Sequence, residues 1–217
     1  MNIWQQYWPA LLGGIVVTLK LSLIVWLAGL LLGGILGVVG ARWRLVGAFG
    51  YTLTFILGSI PIIVTLMWLN YPAQSLLGIV APPFWTASFA LSLVNIFSVS
   101  EIVRAAITSF PREFNVIGLV SGMSQMQVLR FITFPLLIRQ ILPPLLFSQV
   151  TILQATLFAS LISVDEIFRV TQQINAVTYQ PVTLYTALAV LFLIVCAPIN
   201  ALALYLKKRF GRDMSET

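Results

Sequence analysis

Apolar residues gather into five long stretches separated by short polar or basic breaks. They run from about 11–40, 46–69, 84–110, 137–164 and 181–206. A helix rises 1.5 Å per residue, so roughly 20 apolar residues cross the ~30 Å hydrocarbon core of a bilayer. Every stretch meets that length, and the first holds a single charge, Lys20. The pattern predicts an all-α fold: a polytopic transmembrane helix bundle of about five spans, forming one domain over residues 1–217. The 111–135 segment is expected on the cytoplasmic side. No internal repeat and no low-complexity segment interrupts the pattern.

The breaks set an orientation. With the N-terminus outside, Arg42 and Arg44, the segment holding Arg112 and Arg130, and Lys207-Lys208-Arg209 all fall inside. The uncharged stretch 70–83 and the segment 165–180 then fall outside. Basic residues accumulate on cytoplasmic loops, so N-out/C-in is the expected topology. Trp4, Trp8 and Trp85 fall near outer boundaries and Trp43 near an inner one, where indole rings favour the headgroup level. Gly13-Gly14 and Gly33-Gly34 allow close helix approach.

Composition agrees. The chain is 59% hydrophobic and 8% charged, against roughly 25% charged in a soluble domain. Its lipid-facing surface needs a bilayer as partner. The net charge of +6 fits basic residues sorted to one face of a membrane, and no nucleic-acid partner is expected. With no histidine and few acids, no catalytic or metal-binding constellation is apparent. Cys196, in an apolar run, reads as a small buried hydrophobe. The N-terminus has no basic residue, so the first stretch is expected to be a retained span and not a cleaved signal.

The segment between the third and fourth stretches is semi-apolar. Phe114, Ile117, Val120 and Ser121 share one helical face. Gly122 breaks the pattern, and a second short helix is expected from about Ser124. Such a surface needs either a docking partner or the membrane interface.

At these residues the chain resembles the permease subunits of bacterial ABC importers, whose cytoplasmic loop reads E-A-A, three residues, G, nine residues, I, one residue, L-P. Gly122, Ile132 and Pro135 stand at that spacing, with Phe134 at the leucine. Val116, Ile117 and Gly118 fill the Glu-Ala-Ala place. Four further passages are similar to the polar amino-acid uptake permeases: Thr18-Leu19-Lys20-Leu21-Ser22; Ile60-Pro61-Ile62-Ile63-Val64; Glu101 through Ile107 with Pro111; and Thr156 through Gln172-Gln173-Ile174, with Glu166 at the motif's Glu. The order and spacing of the motifs cover nearly the whole chain. Gly58-Ser59 replaces an Arg-Gly, Gln154-Ala155 a Lys-Asp, and Ser98 a tyrosine. The resemblance implies a transport subunit, not an enzyme, for polar amino acids or similar small solutes in a bacterial inner membrane. It implies a separate ABC ATPase subunit binding ATP and Mg, a periplasmic solute-binding protein and a second permease subunit. No G-x-x-x-x-G-K-[ST] loop exists here to cradle phosphates. The altered Glu-Ala-Ala positions favour a heterodimeric core, and the neutral replacements imply either an uncharged solute or recognition by the second subunit.

Several polar residues remain within the spans. Glu101 and Arg104, three apart on one face, are a candidate gate or a helix-end pair. Lys20, Asn95, Ser98, Gln149 and Gln154 are candidates for the substrate path, and equally for interhelical bonds. Asp165 and Glu166 are candidates for contact with the binding protein. An ion-coupled carrier or channel is the competing class, which would need intramembrane ionisable sites or internal repeats.

Overall fold

The computed structural model describes residues 3–111 and 113–215. Arg112 and the Trp4 side chain, both used above, lie outside the described part. The described residues form helices α1 (Ile3–Ala28), α2 (Gly34–Arg42), α3 (Arg44–Ser59), α4 (Ile62–Asn70), α5 (Pro72–Leu77), α6 (Pro83–Thr108), α7 (Glu113–Val120), α8 (Gln125–Val128), α9 (Phe134–Ala155), α10 (Ile167–Thr178) and α11 (Pro181–Ser215). A π-helical turn, Gly29–Gly33, joins α1 to α2, and a second, Leu129–Thr133, joins α8 to α9. A 3₁₀ segment, Thr156–Ile162, extends α9. Four helical runs among the described residues are long and apolar enough to cross a membrane: Gln5–Arg42, Pro83–Thr108, Gln125–Ile162 and Pro181–Phe210.

The second expected span, 46–69, is broken. α3 and the helical run after it meet at 94°. Pro61 has no N–H to continue the ladder and forces Ile60 out of the helical region, to φ −93°, ψ 124°. α4 restarts when the amides of Val64 and Thr65 donate to the Pro61 carbonyl. The uncharged stretch 70–83, between the second and third expected spans, contains α5, which ends on Gly78 in the left-handed region.

The fourth span starts earlier than the expected residue 137. The short helix expected from Ser124 is the first turn of a continuous run, Gln125–Ile162. Ser124 caps that run. Its Oγ accepts from the Gln127 amide at 3.3 Å, while Gln127 Oε1 accepts from the Ser124 amide at 2.8 Å. Two orphan donors are thereby satisfied. Pro135 cannot donate to the Phe131 carbonyl. The ladder widens there, and the Phe134 amide reaches back to Leu129.

α6 lies at the centre. Its Ala87, Ala90 and Leu91 pack with Leu21 and Val25 of α1, Leu66 of α4 and Ile152 of α9. The first helical run turns two stripes outward and inward. Leu19, Leu23, Leu27, Leu31 and Ile35 are exposed, as lipid-facing residues should be. Gly29, Gly33 and Gly37 are buried against α6. At Gly33 an added Cβ would stand 2.5 Å from the Ile96 carbonyl oxygen, so only a missing side chain permits this approach.

Buried amides link the same helices. Asn95 of α6 is fully buried and donates to the Val25 carbonyl at 2.9 Å. It also exchanges two hydrogen bonds with Gln149 of α9, at 3.1 and 3.2 Å. Replacing Asn95 with leucine strands both polar ends of Gln149. The expected loss is about 1–3 kcal/mol, read as a lower thermal midpoint in detergent. Asn95→Leu/Gln149→Leu should recover part of it.

Candidate functional site

The site lies where α7 rests on α8 and the widened turn into α9, beside a crevice between α3, α6 and α9. α7 is a short helix lying on the fourth span. Its contact is Gly118: a Cβ there would stand 2.7 Å from a Val128 methyl and 3.1 Å from Ile132 Cδ1. Phe114 packs on Phe110 with ring centroids 5.8 Å apart. Gly118 seats the helix, while Val116, Ile117 and Val120 are 57%, 60% and 83% exposed. The expected apolar face therefore divides. Phe114 turns inward, and Ile117 and Val120 are presented outward, with none of the described residues covering them. Gly122 closes the turn after α7 at φ +81°, a conformation that a side chain resists. Ile132 and Pro135 are half-buried where the widened turn enters α9.

Next to this segment a crevice of about 460 Å³, mostly apolar with a few polar side chains, opens between α3, α6 and α9. Thr54, Ser98, Glu101, Ser109 and Gln140 contribute its polar lining. Ser98 Oγ lies 3.1 Å from Ser148 Oγ, and Gln140 donates to Ser109 Oγ at 3.1 Å. The Gln140 side-chain oxygen Oε1 is buried without a hydrogen-bond partner among the described residues. Arg104 donates twice to Glu101, from Nε at 2.8 Å and from Nη2 at 2.6 Å. This bidentate pair is one-quarter exposed, and its Glu101 stands at the crevice wall.

The expected path residues separate. Ser98 lines the crevice. Asn95 and Gln149 satisfy each other away from it. Gln154 is exposed beside the Cys196 thiol of α11. Lys20 is exposed on the outside of the first run, with no bond to another described residue, and so does not bridge helices within this chain. Thr54, Ser109 and Gln140 were missed by sequence reasoning, since isolated neutral residues in separate helices carry no common spacing.

Asp165 and Glu166 also part company. Asp165 is exposed and accepts from Arg169 Nε at 2.9 Å and from Gln173 at 3.3 Å. Glu166 is fully buried, which corrects its expected place on a contact surface. It caps α10, accepting from the amides of Phe168 at 2.9 Å and Arg169 at 2.8 Å. The Ile167 amide donates to Thr18 Oγ1 at 3.1 Å, tying this cap to α1. Burial pushes the Glu166 carboxyl up to about 7, against the downward pull of the two amides. An acid whose folded pKa is raised stabilises the fold most below its unfolded pKa. That contribution is lost as pH rises from about 4.5 to about 7. Wild-type thermal stability should fall across that window, and Glu166→Gln should remove this component of the slope. An unchanged slope would contradict the assignment.

Long apolar helices around a crevice with a few polar side chains, and a short outward-facing helix at one end, are the architecture expected of a membrane transport protein. The chain belongs to the family described as binding-protein-dependent transport system inner membrane component, whose model matches residues 29–212. It is 29% identical to the L-cystine transport system permease protein TcyB of Bacillus subtilis, covering 98% of this chain and 91% of that protein. It is 27% identical to the glutamine transport system permease protein GlnP of Escherichia coli K12, covering 95% and 96%. The fold is similar to that of a crystal structure of an amino acid ABC transporter with histidines, with TM-score 0.81, 23% identity and coverage of 96% and 99%. It is also similar to an inward-facing MetNI methionine ABC transporter, with TM-score 0.73, 17% identity and coverage of 97% and 99%. The chain is thus an ABC importer permease subunit, a transport component and not an enzyme.

Proposed function

We propose that this permease carries polar amino acids or similar small polar solutes and couples to a separate ATPase chain through its 111–135 segment. The observation that carries the reading is α7. A helix seated through Phe114 and Gly118, with Val116, Ile117 and Val120 outward, is built to be covered by another protein. The named substrates of relatives, L-cystine and glutamine, support an amino-acid class. The crevice of Ser98, Glu101 and Gln140 is the part of the path contributed by this chain. ATP and Mg are bound by the ATPase, a periplasmic binding protein delivers solute, and the altered Glu-Ala-Ala positions favour a second, different permease as partner. The bacterial inner membrane is the location, with the N-terminus outside and the coupling segment inside.

The test is recovery of the tagged chain in mild detergent, followed by mass spectrometry. A P-loop ATPase should co-purify, and Ile117→Asp should reduce its recovery at least tenfold, as loss of a central apolar contact does. Recovery of the chain alone, stable and monodisperse, would sink the coupling assignment. A single permease type in an active complex would rule out the heterodimer.

A further inference from the structure

A second crevice, of about 450 Å³, lies between α2, α3 and the end of α6. The Glu101–Arg104 pair stands between this crevice and the first, and Arg42 and Arg44 are unused by the transport reading. Gly40 and Gly47 close its back: a Cβ on Gly40 would stand 3.2 Å from the Gly47 Cα. That approach brings Arg42, Arg44 and Arg104 to one hollow with Tyr51.

The three guanidiniums are not equivalent. Arg104 is neutralised by Glu101 and lies 6.0 Å from the centroid of the Tyr51 ring. Its Nη1 has no hydrogen-bond partner among the described residues. Arg42 and Arg44 are exposed and have no ion pair among the described residues, so the hollow keeps two uncompensated positive charges. They flank Trp43, an exposed indole at the end of the first run. Immediately along α2 and α3 the surface is apolar, with Ile35, Val38 and Phe49 more than half exposed.

We propose that this hollow binds the phosphate headgroup of an anionic phospholipid, whose acyl chains lie along the exposed apolar faces of α2 and α3. Planar guanidiniums pair with phosphate oxygens bidentately. Basic hollows between spans at the membrane boundary recognise anionic headgroups. The volume is that of a small-molecule site, roughly 300–1,000 Å³. A free phosphate satisfies the same charges but gains nothing from the apolar faces, so lipid is the occupant. The inference rests on the hollow standing at the membrane boundary and does not depend on the importer reading.

The experiment is native mass spectrometry of the full chain in mild detergent, titrated with phosphatidylglycerol or with phosphatidylcholine of the same acyl chains. Wild type should retain phosphatidylglycerol at roughly thirtyfold lower concentration than phosphatidylcholine, from about 1 kcal/mol for each of the two boundary arginines. Arg42→Gln/Arg44→Gln should lose the preference. Lys207→Gln/Lys208→Gln should keep it, since those charges stand elsewhere. The wild-type comparison alone decides if the arginine variant does not fold. Equal retention of the two lipids by wild type overturns the proposal, as does equal loss of preference in both double variants. Displacement of the lipid by an equal concentration of inorganic phosphate overturns it in favour of a free anion. Unchanged lipid preference in Arg42→Gln/Arg44→Gln, with loss of a co-purifying protein, overturns it in favour of a protein contact.

Discussion

Gly37→Val should destabilise the bundle by about 3 kcal/mol, the upper part of the usual cost of forcing extra methyl groups into a packed interface. A Cβ on Gly37 would stand 2.6 Å from the Ser100 carbonyl oxygen and 2.7 Å from Val103 Cβ. A flexible side-chain tip can give way, but the obstacle here is the backbone of α6 and a β-branched carbon. The helices must separate, and the Asn95–Gln149 exchange one to two turns away is strained with them. Gly34→Val is the control. Gly34 has open space around it, with no atom within 4 Å of an added Cβ. Its change should stay within about 0.5 kcal/mol. Thermal melts of both variants in one detergent decide the matter. Equal midpoints would mean that the glycine stripe does not set the spacing of the first run and α6.

Gly122→Val should abolish uptake while leaving insertion and folding intact. The residue sits at φ +81°, and β-branched side chains are strongly disfavoured there. Nothing stands within 4 Å of its Cβ position, so the penalty is conformational and not a collision. The turn must open to a negative φ, and α7 rotates with it. Val116, Ile117 and Val120 then no longer present one surface, although the spans are untouched. Uptake should fall at least tenfold, since a misplacement of about 1 Å in a positioning element can cost a hundredfold. Gly122→Asn, which tolerates the left-handed region, should retain most of the activity. Normal uptake by Gly122→Val would count against the coupling assignment of the loop.

The spans were legible because apolar runs of that length have few other uses. Their interruptions were not. Pro61 breaks a stretch whose hydropathy continues across it, and proline is common enough inside spans that its presence alone gives no angle. Pro143 and Pro144 sit inside α9, which stays continuous. α10 was hidden for a different reason. Ile167, Val170, Thr171 and Ile174 recur at helical spacing and are buried, but glutamines between them made the segment read as a polar loop. The acid at Glu166 before that run was the available signal for a cap. Gly118 and Gly122 were singled out by the motif they resemble, though only the structure separates what they do locally: one removes a side chain for contact, the other permits a turn. The Asn95–Gln149 partnership joins residues 54 apart, and nothing local in either helix encodes it.

The continuous run Gln125–Ile162 has a mechanical consequence. Its 38 residues make a rod of about 57 Å, nearly twice the ~30 Å hydrocarbon thickness. One end carries Val128 and Ile132, on which α7 rests through Gly118. The other reaches Ile162, a few residues from the Glu166 cap of α10. A rigid rod of this length pivoting by about 5° at its middle displaces each tip by about 2.5 Å in opposite directions. If the run moves as one body through its widened turn and its 3₁₀ segment, a modest rock at the α7 end is felt, with inverted sign, at the Glu166 end. The fold needs no relay of side chains to carry it there.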